Sequence, residues 1–253
     1  MKLYYMRYAT TDTAQRRSGG PLQVVEADLQ AVLTDSKAGR MKPAAAYQRI
    51  CGTIPGEFGA GGDMALDAEE DVVYFRVDRT KAAKHIAPGT KIEESFGPRG
   101  MGAGPAGLMK MNFTTGELTY IISVPFQIGH VQSNPWVAGE IVFCWETGGK
   151  SPQRTWFVNA DGTGLRPLYP EAEYEWVTHE AVITKDEVAF AIMGHRKIGG
   201  LDSTGTGVSG ANPGQDPGWG PSGTREKPTG LGIVNLRTRQ MMIAGQTPSG
   251  SGL

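Results

Sequence analysis

His130 and His179 are the residues with the most chemistry to offer. His130 stands in Ile128-Gly129-His130-Val131-Gln132-Ser133-Asn134-Pro135, just ahead of the apolar run Ile141-Val142-Phe143-Cys144-Trp145. His179 stands in Trp176-Val177-Thr178-His179-Glu180, just ahead of the next such run, Val188-Ala189-Phe190. An imidazole changes charge near neutral pH, so two that converge can share a metal ion or pass protons. A histidine near a strand start is more often hydrogen-bonded packing, and only the matched placement of the two favours the chemical reading. Glu180 either orients an imidazole or faces solvent. Trp219 is a candidate for stacking on a sugar ring, against the plainer reading of a loop tryptophan packed on its own domain. His195 and Arg196 follow a hydrophobic strand and either line a cleft or lie on the surface. His85, in Lys81-Ala82-Ala83-Lys84-His85, reads as a solvated turn.

The elements that must position these residues repeat along the chain. An acidic turn leading into a hydrophobic strand occurs at Glu69-Glu70-Asp71-Val72-Val73-Tyr74-Phe75, at Gly139-Glu140-Ile141-Val142-Phe143 and at Asp186-Glu187-Val188-Ala189-Phe190. A strand, a polar turn centred on Asn and a returning strand follow each time, around Asn112, Asn159 and Asn235. Several short strands in a unit of roughly 40–50 residues mark a propeller blade, whose open face only a neighbouring unit can cover. A β-sandwich with irregular hairpins is the alternative, but it does not predict the same two segments recurring in order. At about 45 residues per unit the 253 residues allow five or six blades at most. The chain begins and ends inside the repeat. The expected fold is therefore all-β: a single β-propeller domain over residues 1–253, with an incomplete set of blades. Apolar spacing at Val25, Leu29, Val32 and Leu33 adds a helical insertion over about 24–38, and a Gly-rich loop is expected over about 197–228.

Composition closes off other classes. The 36 glycines and 16 prolines suit many short strands and tight turns and disfavour long helices. A net charge of −1 gives no reason to expect nucleic acid or an anionic membrane, although a local basic cluster could still take an acidic sugar. Cys51 and Cys144 are too few for a disulfide framework, and Cys144 reads as a small buried hydrophobe. No signal peptide or spanning apolar run is seen, which reads as cytoplasmic, or as periplasmic if the amino terminus is truncated. Gly100-Met101-Gly102-Ala103-Gly104-Pro105 is not a phosphate loop, since it follows no clear strand and opens no helix.

Gly129 to Pro135, then Arg154-Thr155-Trp156-Phe157-Val158-Asn159-Ala160-Asp161-Gly162-Thr163-Gly164-Leu165-Arg166, then Thr178-His179-Glu180 resemble oligogalacturonate lyase, a propeller family with TolB-like blades. The resemblance spans about Leu108 to Gln246. It implies a seven-bladed parent and β-elimination of uronic-acid oligosaccharides assisted by a divalent metal, manganese above all. By match to the motif, His130 would be the base, and His179 and Gln246 metal ligands. Arg99 would pair with the substrate carboxylate, and Gln132, Arg196 and Trp219 would line the substrate. The chain departs from the family in having no His after His195, so the implied metal shell is incomplete. The alternative function is a non-catalytic TolB-like propeller that binds a glycan or protein, and a third is a propeller hydrolase with its chemistry elsewhere.

Overall fold

The computed structural model describes residues 1–17, 19–61, 63–95, 100–147, 151–171, 175–195 and 230–246. Among them, four antiparallel sheets follow one another along the chain. The first has three strands, β1 (Lys2–Tyr8), β2 (Leu22–Asp28) and β3 (Gln48–Ile54), with a short helix α1 (Thr13–Arg17) and a longer one α2 (Leu29–Lys37) in its connections. The second holds β4 (Met64–Leu66), β5 (Val72–Val77), β6 (Ala103–Asn112) and β7 (Leu118–Phe126), with a helical turn α3 (Arg79–Ala82) after β5. The third holds β8 (Ile128–Ser133), β9 (Glu140–Trp145), β10 (Thr155–Asn159) and β11 (Arg166–Pro167). The fourth holds β12 (Glu175–Thr184), β13 (Glu187–His195), β14 (Gly230–Asn235) and β15 (Met241–Gln246). Neighbours within each sheet are consecutive in sequence, as in a meander.

The continuous apolar runs have a simple cause. Successive side chains of a strand point to opposite faces, so a sheet buried on both sides needs both parities apolar. In β5, Val73, Phe75 and Val77 join the core shared with the first sheet, while Tyr74 joins the core shared with the third. In β9, Ile141, Phe143 and Trp145 face the second sheet and Val142 faces the fourth. Each sheet thus stacks face to face on the next, which is blade packing. The recurring segments fall into place accordingly: the acidic turn and apolar run form the second strand of each four-stranded sheet, and the Asn-centred segment forms the third and fourth. The turns around Asn112 and Asn235 are alike in detail, with Asn112 Oδ1 accepting from Thr114 N at 2.8 Å and Asn235 Oδ1 accepting from Arg237 N at 2.8 Å. Near Asn159 that role passes to Asp161, whose Oδ1 accepts from Thr163 N at 2.9 Å.

The first strands of successive sheets pack beside one another, β4 against β8 and β8 against β12, so these strands line the inner side of the arrangement. Polar latches fix the sheets at the turns that follow. Asp67 Oδ1 accepts from Tyr74 Oη at 2.7 Å and from Gly139 N at 2.8 Å, tying the second sheet to the third. Asn134 repeats the device one sheet on, donating through Nδ2 to Glu140 Oε2 and to the Lys185 carbonyl, each at 2.8 Å. Asn134 is fully buried, and Asn134→Ala takes the acceptor from Trp136 N, while Glu140 Oε2 and the Lys185 carbonyl keep Arg237 as donor. The expected loss is about 1–3 kcal/mol for the donor left unsatisfied, read as a lowered urea midpoint.

Over 24–38 the chain differs from the single helical insertion expected. Only Leu29–Lys37 is helical; Val24 to Asp28 belongs to β2, with Val24 buried in the core against the second sheet. The β-branched pair Val24-Val25 favours a strand. Asp28, whose Oδ1 accepts from Ala31 N at 2.9 Å, caps the helix where it does start. The expected Gly-rich loop at about 197–228 lies outside the described residues. No helix among the described residues is long and apolar enough to cross a membrane.

Candidate active site

Both singled-out histidines sit on inner strands, at the same kind of irregularity. Along β8 the pairing with β9 jumps from Gly129↔Cys144 to Gln132↔Val142, and along β12 the pairing with β13 jumps from Thr178↔Ala191 to Ala181↔Ala189. These are β-bulges, which re-aim side chains. At each one the histidine takes a left-handed backbone, φ 47° at His130 and φ 53° at His179. Such a conformation in a non-glycine residue costs on the order of 1–3 kcal/mol and persists where surroundings hold it. Gln132 supplies part of that hold. Its Nε2 donates to the Glu180 carbonyl and its Oε1 accepts from Val182 N at 3.3 Å, so it fastens one bulge to the other.

The bulge on β12 turns Glu180 inward and leaves His179 exposed. Around His130, four other side chains converge. Its Nδ1 lies 3.2 Å from Glu180 Oε1, and its Nε2 lies 3.3 Å from Glu146 Oε2. Arg154, just ahead of β10, puts Nε 3.3 Å from Glu180 Oε2 and Nη2 3.6 Å from Glu146 Oε2 and 3.3 Å from His130 Nδ1. Cys144 Sγ is 3.8 Å from Glu146 Oε2. The Glu180 side chain is 0% exposed and that of Arg154 4%, against 38% for His130. With Glu146 in place, the imidazole is therefore the member of the trio that a ligand can touch.

Burial works to raise the Glu180 pKa, but His130 and the Arg154 guanidinium overcome it and hold the carboxyl down at about 2. His130 is raised above its ordinary 6.5, chiefly by its bond to Glu180, against burial and the repulsion of Arg154. Burial pushes the Cys144 thiol well above its usual range, so it stays a neutral thiol rather than a nucleophile. The consequences for stability have opposite signs. The depressed Glu180 contributes above about pH 4.5 and loses its contribution as pH falls toward about 2. The raised His130 contributes below 6.5 and loses its contribution as pH rises through its folded value. Thermal unfolding across pH should show an acid limb that Glu180→Gln flattens.

The sequence-picked residues fall into three groups. His130 is at the centre, with Gln132 behind it. His179 shares the bulge with Glu180 but is not part of the cluster's metal-capable trio, and Gln246 closes β15, the strand farthest from β12 in its sheet. Arg99, Arg196 and Trp219 lie outside the described residues. Glu180 does orient an imidazole, though that of His130 rather than of its neighbour. Arg154 and Glu146 were not singled out. Arg154 was visible as the first residue of the strand–turn motif; nothing in the sequence marked Glu146.

Two groups among the described residues place three metal-capable atoms within 4.8 Å of one another: His130, Cys144 and Glu180, and Asp67, Glu69 and Asp71. In the second, Asp67 is already spent on the latch to Gly139 and on Glu69 N. In the first, a soft thiol replaces the oxygen donors that manganese prefers, and a guanidinium already neutralises the carboxylates. A manganese ion does not fit that donor set.

No family model matches the sequence, and no curated protein does. Among solved structures, an oligogalacturonate lyase in complex with manganese superposes with a TM-score of 0.50 at 17% identity, over 89% of this chain and 62% of the lyase. An oligogalacturonate lyase from Vibrio parahaemolyticus gives 0.50 at 16% identity, over 87% and 59%. TolB from Acinetobacter baumannii gives 0.30 at 9% identity, over 95% and 50%, too distant to bear on the comparison. The likeness to the two lyases is one of fold, and the chain spans about three-fifths of their length.

Proposed function

We propose that the chain is a propeller-type carbon–oxygen lyase that cleaves uronic-acid oligosaccharides by β-elimination, with His130 as the proton acceptor. The observation that carries this reading is the half-exposed imidazole on an inner strand, backed by the buried Glu180–Arg154 pair. Likeness of fold to two oligogalacturonate lyases supports it.

A uronate carries an acidified hydrogen on the carbon beside its carboxylate. The Glu180 carboxylate, 3.2 Å from Nδ1 of His130, favours the proton on that nitrogen and so leaves Nε2 to take that hydrogen as a proton. The electrons of the broken C–H bond form the new C=C bond, and the C–O bond to the 4-linked oxygen breaks. That oxygen leaves with its electron pair and takes its proton from water. Arg154 supplies the fixed positive charge that offsets the charge developing on the carboxylate. A divalent metal held through His179 and Gln246 would add a second positive charge for the substrate carboxylate, and each step above is carried by His130, Glu180 and Arg154 themselves.

The test is the ultraviolet absorbance of the unsaturated product, with oligogalacturonate, alginate and ulvan fragments supplied separately, with and without manganese. The expected result is product from a uronate without added metal. Because a protonated imidazole accepts no proton, the rate should rise with pH through a midpoint above 6.5. A rate that falls over that range would remove His130 as the acceptor.

A further inference from the structure

Three groups from different strands and loops converge on a single atom, Glu146 Oε2: His130 Nε2 at 3.3 Å, Arg154 Nη2 at 3.6 Å and Cys144 Sγ at 3.8 Å. Two carry or can carry positive charge and the third is a weak S–H donor, so together they make a nest for one carboxylate oxygen. The backbone is arranged to deliver Glu146 there. Glu146 N donates to the Gln127 carbonyl at 2.9 Å, pinning the residue beside the start of β8. Its side chain then crosses directly over Gly129, where a Cβ would lie 2.7 Å from Glu146 Cβ and 3.1 Å from its Cγ. Glycine at 129 is what lets the carboxylate reach the imidazole. Unlike Glu180, whose side chain is wholly buried, Glu146 is 16% exposed.

We propose that Glu146 is an internal stand-in for the substrate: its carboxylate occupies the place that a uronate carboxylate takes between His130 and Arg154, and must give way for the sugar to enter. The proposal rests on the lyase reading for its choice of ligand, but the nest itself stands on geometry. The carbon that carries the acidic hydrogen is bonded to the carboxylate carbon, so a carboxylate gripped through Arg154 brings that hydrogen beside Nε2, which takes it once the imidazole is neutral. Glu146 also adds to the factors that keep His130 protonated while no ligand is bound, so its loss favours the neutral imidazole in the ligand-free chain.

Glu146→Gln keeps the shape and removes the competing charge; Glu146→Ala removes the side chain altogether and serves as the second variant. The direct probe is calorimetric binding of galacturonate monosaccharide, which has no glycosidic leaving group at its 4-position, with galactose as the uncharged control. Both variants should bind galacturonate more tightly than the unaltered chain, on the order of tenfold for loss of an intramolecular competitor, and galactose no better. In turnover, KM should fall and the pH–rate midpoint should move down. Equal or weaker galacturonate binding by both folded variants overturns the stand-in, whatever the activity. Tighter binding without any turnover leaves the nest standing and removes the lyase reading.

Discussion

Replacing His130 by Asn is expected to lower the elimination rate by about 10²–10⁴-fold, the usual contribution of a positioned general base. Asparagine is the informative choice. His130 has φ 47°, a region that Asn tolerates and alanine does not, so the bulge on β8 survives the change. Loss of rate with an unchanged far-ultraviolet circular dichroism spectrum assigns the loss to chemistry. If His130 were a packing residue, His130→Asn would alter the melting temperature and leave the rate where it was.

Arg154→Met should be the most destabilising single change in the cluster. Glu180 would be left with its side chain fully buried and only the half-exposed His130 as partner, and breaking a buried pair costs about 3–5 kcal/mol. Replacing both partners tests whether the pair or the packing matters. Arg154→Met combined with Glu180→Gln should recover much of the loss, because no buried charge is then stranded. Urea unfolding of the two singles and the double gives the coupling directly. Additive losses would mean that Arg154 and Glu180 do not act on one another. Arg154→Met should also weaken elimination beyond what stability explains, since Arg154 supplies the charge beside the reacting carboxylate.

Much of the fold was legible because sheets buried on both faces write continuous apolar runs, as at Val72–Phe75 and Ile141–Trp145, and such runs recur with the blade. The Asn-centred turns added a second, independent marker of the same period. The first sheet was missed. It has three strands, lacks both recurring segments, and carries a helix whose apolar residues run on from those of β2 without a break. Asp28 was the boundary signal, but an aspartate followed by Leu29 and Gln30 is a weak one. At the site, the matched positions of His130 and His179 were readable as sequence spacing, and the paired bulges are its structural cause. What could not be read was direction. A bulge re-aims side chains relative to the regular alternation, and sequence spacing alone does not say that His179 is exposed there and Glu180 buried. Glu146 and Arg154 come from segments flanking the connection between β9 and β10, and no local pattern states that their tips meet beside His130.

The deciding comparison is formation of the unsaturated uronide, followed by its ultraviolet absorbance, from oligogalacturonate with the unaltered chain and with the His130→Asn variant, at a pH well above the ordinary imidazole value of 6.5 because that of His130 is raised. Product from the unaltered chain and little from His130→Asn is the predicted result. Equal rates from the two proteins, or no product from the folded unaltered chain on any uronate, would contradict it.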